Sequence, residues 1–165
     1  MSNVRSCSLT LVCRFYGEEG GWRKIASTLN ECGWITEGMY SRKDDVEVKC
    51  FAESNDRKEI ILTLDMGRMD KILKIFRELV EALFRCCWYV DVYYHLRGSF
   101  AEKISEKFSV TDMEKVRKKI HGLEVLIEKK TNVNLLNISY RLSRDRVKSA
   151  SKLHSEIIKE VIDVE

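Results

Sequence analysis

Two runs of alternating side chains, VEVKCFA at 46–52 and EIILTLDM at 59–66, stand either side of the polar residues Ser54, Asn55 and Asp56. Successive side chains of a strand point to opposite faces, so each run offers one apolar and one polar face. Ser, Asn and Asp favour tight turns, and strands joined that briefly pair antiparallel. The hairpin is the strongest constraint on the fold, because it commits the chain to antiparallel sheet. Helical patterns lie on both sides of it, which makes the class α+β, with helices packed on one face of a mainly antiparallel sheet.

The segment at 7–16, CSLTLVCRFY, is a further strand, broken by Gly17, Gly20 and Gly21. Trp22, Ile25, Ala26 and Leu29 follow at helical spacing and stop at Gly33, and a short strand is expected over 34–40. A long helix carries Met69, Ile72, Leu73, Phe76, Leu79, Val80 and Leu83 on one face, with Asp65 as its candidate cap. A strand follows over 88–96. Ser99 with Glu102 and Thr111 with Glu114 match the capping box that opens helices. Met113, Val116, Ile120, Leu123 and Ile127 then read as the seam of a helix. Leu135 to Leu142 forms a last strand. Ser143 caps a final helix with Val147, Ala150, His154, Ile157 and Val161 inside. The expected order is β-α-β-β-β-α-β-α-α-β-α. It contains a ferredoxin-like βαββαβ core with an extra hairpin strand over 1–97 and an ααβα extension over 98–165. We expect a single domain over 1–165. Gly98 is the one plausible point of subdivision, and no internal repeat is visible.

With 44% hydrophobic and 33% charged residues among 165, the chain has enough apolar content to exclude wholesale disorder. No apolar run approaches the ~20 residues that span a bilayer. The first twenty residues lack a signal-peptide pattern, so a cytoplasmic location is expected. Proline and glutamine are absent while Lys, Arg and Glu abound, a composition expected of a thermophile. Six cysteines (7, 13, 32, 50, 86 and 87) show no C-x2-C pair, which points to structural thiols rather than metal ligands or disulfides.

The loop Gly17-Glu18-Glu19-Gly20-Gly21 lacks phosphate-binding spacing, and its carboxylates would repel phosphate. On the strand at 88–96, alternation places Tyr89, Asp91, Tyr93, His95 and Arg97 on one face, and Trp88, Val90, Val92, Tyr94 and Leu96 on the other. Asp91 and His95 lie about 13 Å apart in an extended strand, too far for an acid–base pair. His154 sits on an apolar stripe and His121 in a basic segment, neither with metal-binding companions. No catalytic signature is legible, and no cofactor is expected.

Charge supplies the functional lead. Residues 1–96 hold 14 Lys+Arg against 15 Asp+Glu, whereas residues 97–165 hold 15 against 11. Lys115, Lys118 and Lys119 form one cluster with Arg117. Arg141, Arg144, Arg146, Lys148 and Lys152 form another, and Tyr89 and Tyr93 offer rings that can stack unpaired bases. The final helix reverses the usual dipole preference, with cations at its start and Glu160, Asp163 and Glu165 at its end. These residues lead us to expect nucleic-acid binding, RNA before DNA, with Arg141, Arg144, Lys148 and Lys152 in one anion site. The alternative is a protein-interaction or self-assembling domain, and a homodimer is expected from the apolar surface the chain carries.

Overall fold

The computed structural model describes residues 7–16, 21–44, 46–54, 56–65, 69–110 and 115–164, leaving aside the side chains at 65, 69–74, 131 and 161–164. Nine strands lie among them: β1 (Cys7–Phe15), β2 (Ile35–Glu37), β3 (Tyr40–Lys43), β4 (Val46–Ser54), β5 (Glu59–Asp65), β6 (Cys87–Arg97), β7 (Lys115–Ile120), β8 (Leu123–Lys130) and β9 (Leu135–Leu142). They form one sheet in the order β2-β3-β4-β5-β1-β6-β9-β8-β7, and every neighbouring pair whose register is defined runs antiparallel. Four helices accompany it: α1 (Trp22–Glu31), α2 (Met69–Leu83), α3 (Ser99–Lys107) and α4 (Val147–Val164).

Alternation decides which face the helices cover. Leu9 and Leu11 of β1 stand beside Leu64 and Leu62 of β5, and beside Tyr94 and Val92 of β6. Ile138 and Tyr140 of β9 continue the same rows, and Ile127 and Val125 of β8 extend the core outward. These residues join Leu29, Phe76, Leu79, Leu83, Ile104, Leu153 and Ile157 of the helices in one buried cluster. The hydrophobic effect thus fixes all four helices on one side. His154 lies in that layer, stacked on Phe76 at 4.0 Å with its Nδ1 2.6 Å from the Tyr94 hydroxyl.

The α+β class and the large antiparallel sheet match the sequence reading, as does the β4–β5 hairpin. The ferredoxin-like core is not established, because its strands belong to a nine-stranded sheet. The extension departs furthest from expectation. Where a helical seam was predicted through Met113 and Ile127, β7 and β8 form a hairpin with Ile120 opposite Leu123. Its two-residue turn, His121-Gly122, has φ of 51° and 84°, as the hairpin turn that matches strand twist requires. Leu123, Val125 and Ile127 are buried at period two, and they outweigh the four-and-three spacing that suggested a helix. Met113 and the Thr111–Glu114 box lie outside the described residues, as do residues 17–20 and Asn55; Asp65, expected to cap the long helix, ends β5, and α2 begins at Met69. Ser99 is the first helical residue of α3 rather than its cap, which is Gly98. A 3-10 turn, Arg144–Arg146, separates Ser143 from α4.

The topology also shows a repeat that the residues do not. Counted outward from the centre, β1-β5-β4-β3 on one side answers β6-β9-β8-β7 on the other. Each half runs strand, helix, three-strand meander, helix, with β2 as an addition to the first. The equivalent strands β1 and β6 pair antiparallel and both helix pairs cover one face. The halves are therefore related by an approximate twofold axis normal to the sheet.

Candidate nucleic-acid interface

No helix packs on the second face of the sheet among the described residues, and the register lays out what it presents. The central row runs Thr63, Thr10, Tyr93, Ser139, Leu126 and Arg117 across β5, β1, β6, β9, β8 and β7. The next row holds Ser8, His95, Asn137, Glu128 and Lys115. Of these, all but Arg117 and Lys115 are half-buried by their neighbours. The face is mostly polar, and its middle is knitted by hydrogen bonds. His95 places Nδ1 3.0 Å from Asn137 Oδ1 and Nε2 3.2 Å from Thr10 Oγ1.

Arg141 enters from β9 directly opposite Asp91 of β6. Its Nε donates to Asp91 Oδ1 at 2.8 Å and its Nη2 to Oδ2 at 3.0 Å, a two-pronged bond. The guanidinium also lies 3.8 Å from the centre of the Tyr89 ring. The Asp91 bond pushes the Arg141 pKa up, so Arg141 stays charged throughout the accessible range. Burial, then the Asp91 charge, raises the Tyr93 hydroxyl. Tyr93, Arg117, Leu126, Ser139, Arg141 and Arg146 help line a shallow hollow of about 730 Å³ here. Asp91 and His95 have separate partners and do not act as a pair.

The strand form of β7 redistributes its predicted cations. Lys115, Arg117 and Lys119 project from the open face along the outermost strand, whereas Lys118 turns to the helix side between Val116 and Ile120. Glu128 and Glu124 stand across from Lys115 and Lys119, but Arg117 faces Leu126. A charged outer strand also discourages edge-to-edge pairing.

The four residues expected to share one anion site are divided. Arg141 lines the hollow on the open face. Arg144 and Lys148 line a separate cleft of about 650 Å³ beside the end of α2, with Tyr16, Arg77, Phe84 and Arg85. Lys152 is exposed on α4 and lines neither. The reversed dipole of α4 has a partly structural origin. Arg144 donates to the Phe84 carbonyl just past the C-terminus of α2, where a cation is favourable. At the other end of α4, Glu160 meets Lys107 at 3.4 Å and Lys103 at 4.0 Å, both from α3.

One aromatic residue was misplaced by alternation. A register shift opposite Arg14 and Phe15 leaves Cys87 and Val90 buried with two residues between them. Trp88 therefore leaves the core face and is 66% exposed. It meets the Tyr16 ring edge-to-face, with centroids 4.8 Å apart and the planes at 63°. The six cysteines are thiols outside any disulfide, four buried and two half-buried, and the described residues contain no cluster able to hold a metal ion. No described helix is long and apolar enough to cross a membrane. Comparison with known proteins leaves the interpretation to this geometry: no family model matches the chain and no curated protein matches it.

Proposed function

We propose that the chain binds nucleic acid across the uncovered face of its sheet. The observation that carries this reading is one wide face with a hydrogen-bonding middle and a cation-bearing outer strand, on which Lys115 and Lys119 stand across from Glu128 and Glu124 and Arg117 faces Leu126. Thr10, Tyr93, His95, Asn137 and Ser139 form the middle, and Lys115, Arg117 and Lys119 belong to that strand. Phosphates are held by Lys and Arg without regard to sequence, whereas hydroxyl, amide and imidazole groups can meet base edges. Tyr93 supplies a central ring on which an unpaired base can stack, which favours an RNA strand. Tyr89, already covered by Arg141, serves instead to fix that cation. A net charge of +3 confines the attraction to local patches, unlike the strong general attraction of histone-type proteins.

The competing reading is a protein-interaction or homodimeric domain. It draws on Ile35, Met39 and Phe51, exposed by 70%, 49% and 75% in the β2–β4 region. Replacing Lys115, Arg117 and Lys119 together by Gln separates the two. Nucleic-acid binding requires weaker capture of a labelled single-stranded RNA, with a salt slope flatter by about 0.7 per lost phosphate contact. Unchanged RNA affinity, together with a dimer mass in light scattering, would favour self-association. A duplex DNA bound more tightly than the single strand would transfer recognition from stacking to groove shape.

A further inference from the structure

We propose that Trp88 is a stacking platform for a nucleobase, set at the rim between the open sheet face and the cleft beside α2. This rests on the nucleic-acid reading and names the point at which an unpaired base is gripped.

Three observations converge on it. First, an indole 66% exposed gives up burial that the neighbouring Cys87 and Val90 obtain in full, and it does so through a strand irregularity that turns it outward. Such irregularities re-aim side chains and recur beside binding sites. Second, the indole is held in place. It packs edge-to-face with Tyr16, whose hydroxyl donates to the Arg85 carbonyl at 2.8 Å, so little ordering is required when a base settles on the exposed part of the indole. Third, cations flank it on two sides. Tyr89, next in the chain, carries Arg141, itself paired with Asp91, over its ring, and Tyr16 shares the α2 cleft with Arg85, Arg144 and Lys148, beside Glu81 and Asp145. A strand crossing this rim meets cation, indole and cation in turn, as stacking sites for single strands require. The division of the predicted anion residues between two surfaces thus becomes useful: Arg141 lies on one side of Trp88, and Arg144 and Lys148 lie on the other.

Tryptophan emission gives a direct test, because Trp22 and Trp34 are 5% and 3% exposed. Acrylamide should quench one class of indole, and Trp88→Leu should abolish that class while leaving the thermal midpoint unchanged. Adding a short single-stranded RNA of mixed sequence should quench the Trp88 emission and shield it from acrylamide. In fluorescence anisotropy with the same RNA, Trp88→Leu should bind roughly tenfold more weakly with an unaltered salt slope. Trp88→Phe should restore most of the affinity. An abasic strand of the same length should bind wild type and Trp88→Leu equally. Several results overturn the proposal: RNA that binds without perturbing Trp88, an abasic strand that still distinguishes the two proteins, or Trp88 emission that shifts with protein concentration alone. The last would mean that a second copy covers the indole. Anisotropy that stays flat for wild type removes the nucleic-acid reading itself, whereas salt-dependent binding indifferent to Trp88 removes the stacking site alone.

Discussion

Asp91 is the residue whose removal says most about the open face. Its carboxylate side chain is only 17% exposed and accepts both prongs of Arg141, so it both orients and neutralises the best-placed cation on β9. Asp91→Asn keeps the shape and one acceptor but removes the charge. A pair at this separation has a gross attraction of about 4 kcal/mol in a surface-like medium, most of it offset by desolvation and side-chain ordering. Measured net values for exposed pairs are ~1 kcal/mol or less. With one partner largely buried, a loss of about 1–2 kcal/mol in urea unfolding is expected. Binding should move the other way. The freed Arg141, still stacked on Tyr89, gains a phosphate contact, which steepens the salt slope by about 0.7 for a single strand. Affinity at low salt then rises by roughly fivefold, about 1 kcal/mol. Anisotropy across a salt series measures both quantities. If Asp91→Asn instead weakens RNA binding as much as Arg141→Gln does, Asp91 acts by aiming Arg141 and the neutralisation argument fails.

Three further outcomes are expected. His154→Ala should cost about 3 kcal/mol in urea unfolding, because it opens a cavity against Phe76 and removes the Nδ1 partner of the Tyr94 hydroxyl; a loss below 1 kcal/mol would contradict the buried placement. Gly122→Ala should lower stability by about 1 kcal/mol or more, since φ is 84° and a Cβ would lie 3.0 Å from Arg146 Nη1; an unchanged thermal midpoint would refute the hairpin turn. Alkaline conditions should destabilise the fold between about pH 9 and 11. Burial, then Glu53, raises the Cys50 thiol from 9.0 to about 11, so above pH 9 the unfolded chain releases a proton that the folded chain retains. Urea midpoints that hold level from pH 8 to pH 10.5 in wild type, or fall equally in Cys50→Ala, would exclude that contribution.

What the residues disclosed depended on whether a pattern had one physical solution. Phe76, Leu79, Val80 and Leu83 fit only a helix face, and the runs around Ser54 fit only a hairpin, so both elements were legible. Val116, Ile120, Leu123 and Ile127 fit two solutions, because a hairpin with a two-residue turn can place apolar residues at spacings of four and three. His121-Gly122 decides between them, but histidine is a less familiar first turn residue than asparagine. Trp88 defeated strict alternation because a register shift interrupts the period at that point. The reversed charges of α4 looked functional while α4 was considered alone. Arg144 belongs to the end of α2, and Glu160 to the lysines of α3, which no local pattern reveals. The open face was legible as a list of polar residues on β6, but its extent depends on strand order, which is set by contacts far apart in sequence.

The topological repeat and the charge distribution obey different symmetries, and the difference bears on how a strand can lie. Were the halves alike in chemistry as well as topology, a ligand crossing the β1–β6 axis could bind equally well in two opposed orientations. They are not alike. The second half ends in β7, where Lys115, Arg117 and Lys119 face outward, whereas the first ends in β2, a strand of three residues beginning with the exposed Ile35. Arg141 and Trp88 also stand on the second-half side of β1, near one end of β6. If the face binds nucleic acid, phosphate attraction is independent of sequence, and Arg117, which faces Leu126 while Lys115 and Lys119 face glutamates, would bias the orientation before any base is read. The half-buried groups at the centre, Thr10, Tyr93 and His95, come from β1 and β6 together and lie nearest the axis. Specificity drawn from them would be sensitive to orientation only because the flanks are unequal. On this view the repeated scaffold supplies the width of the face, and the departure from the repeat in β7 supplies the polarity of binding.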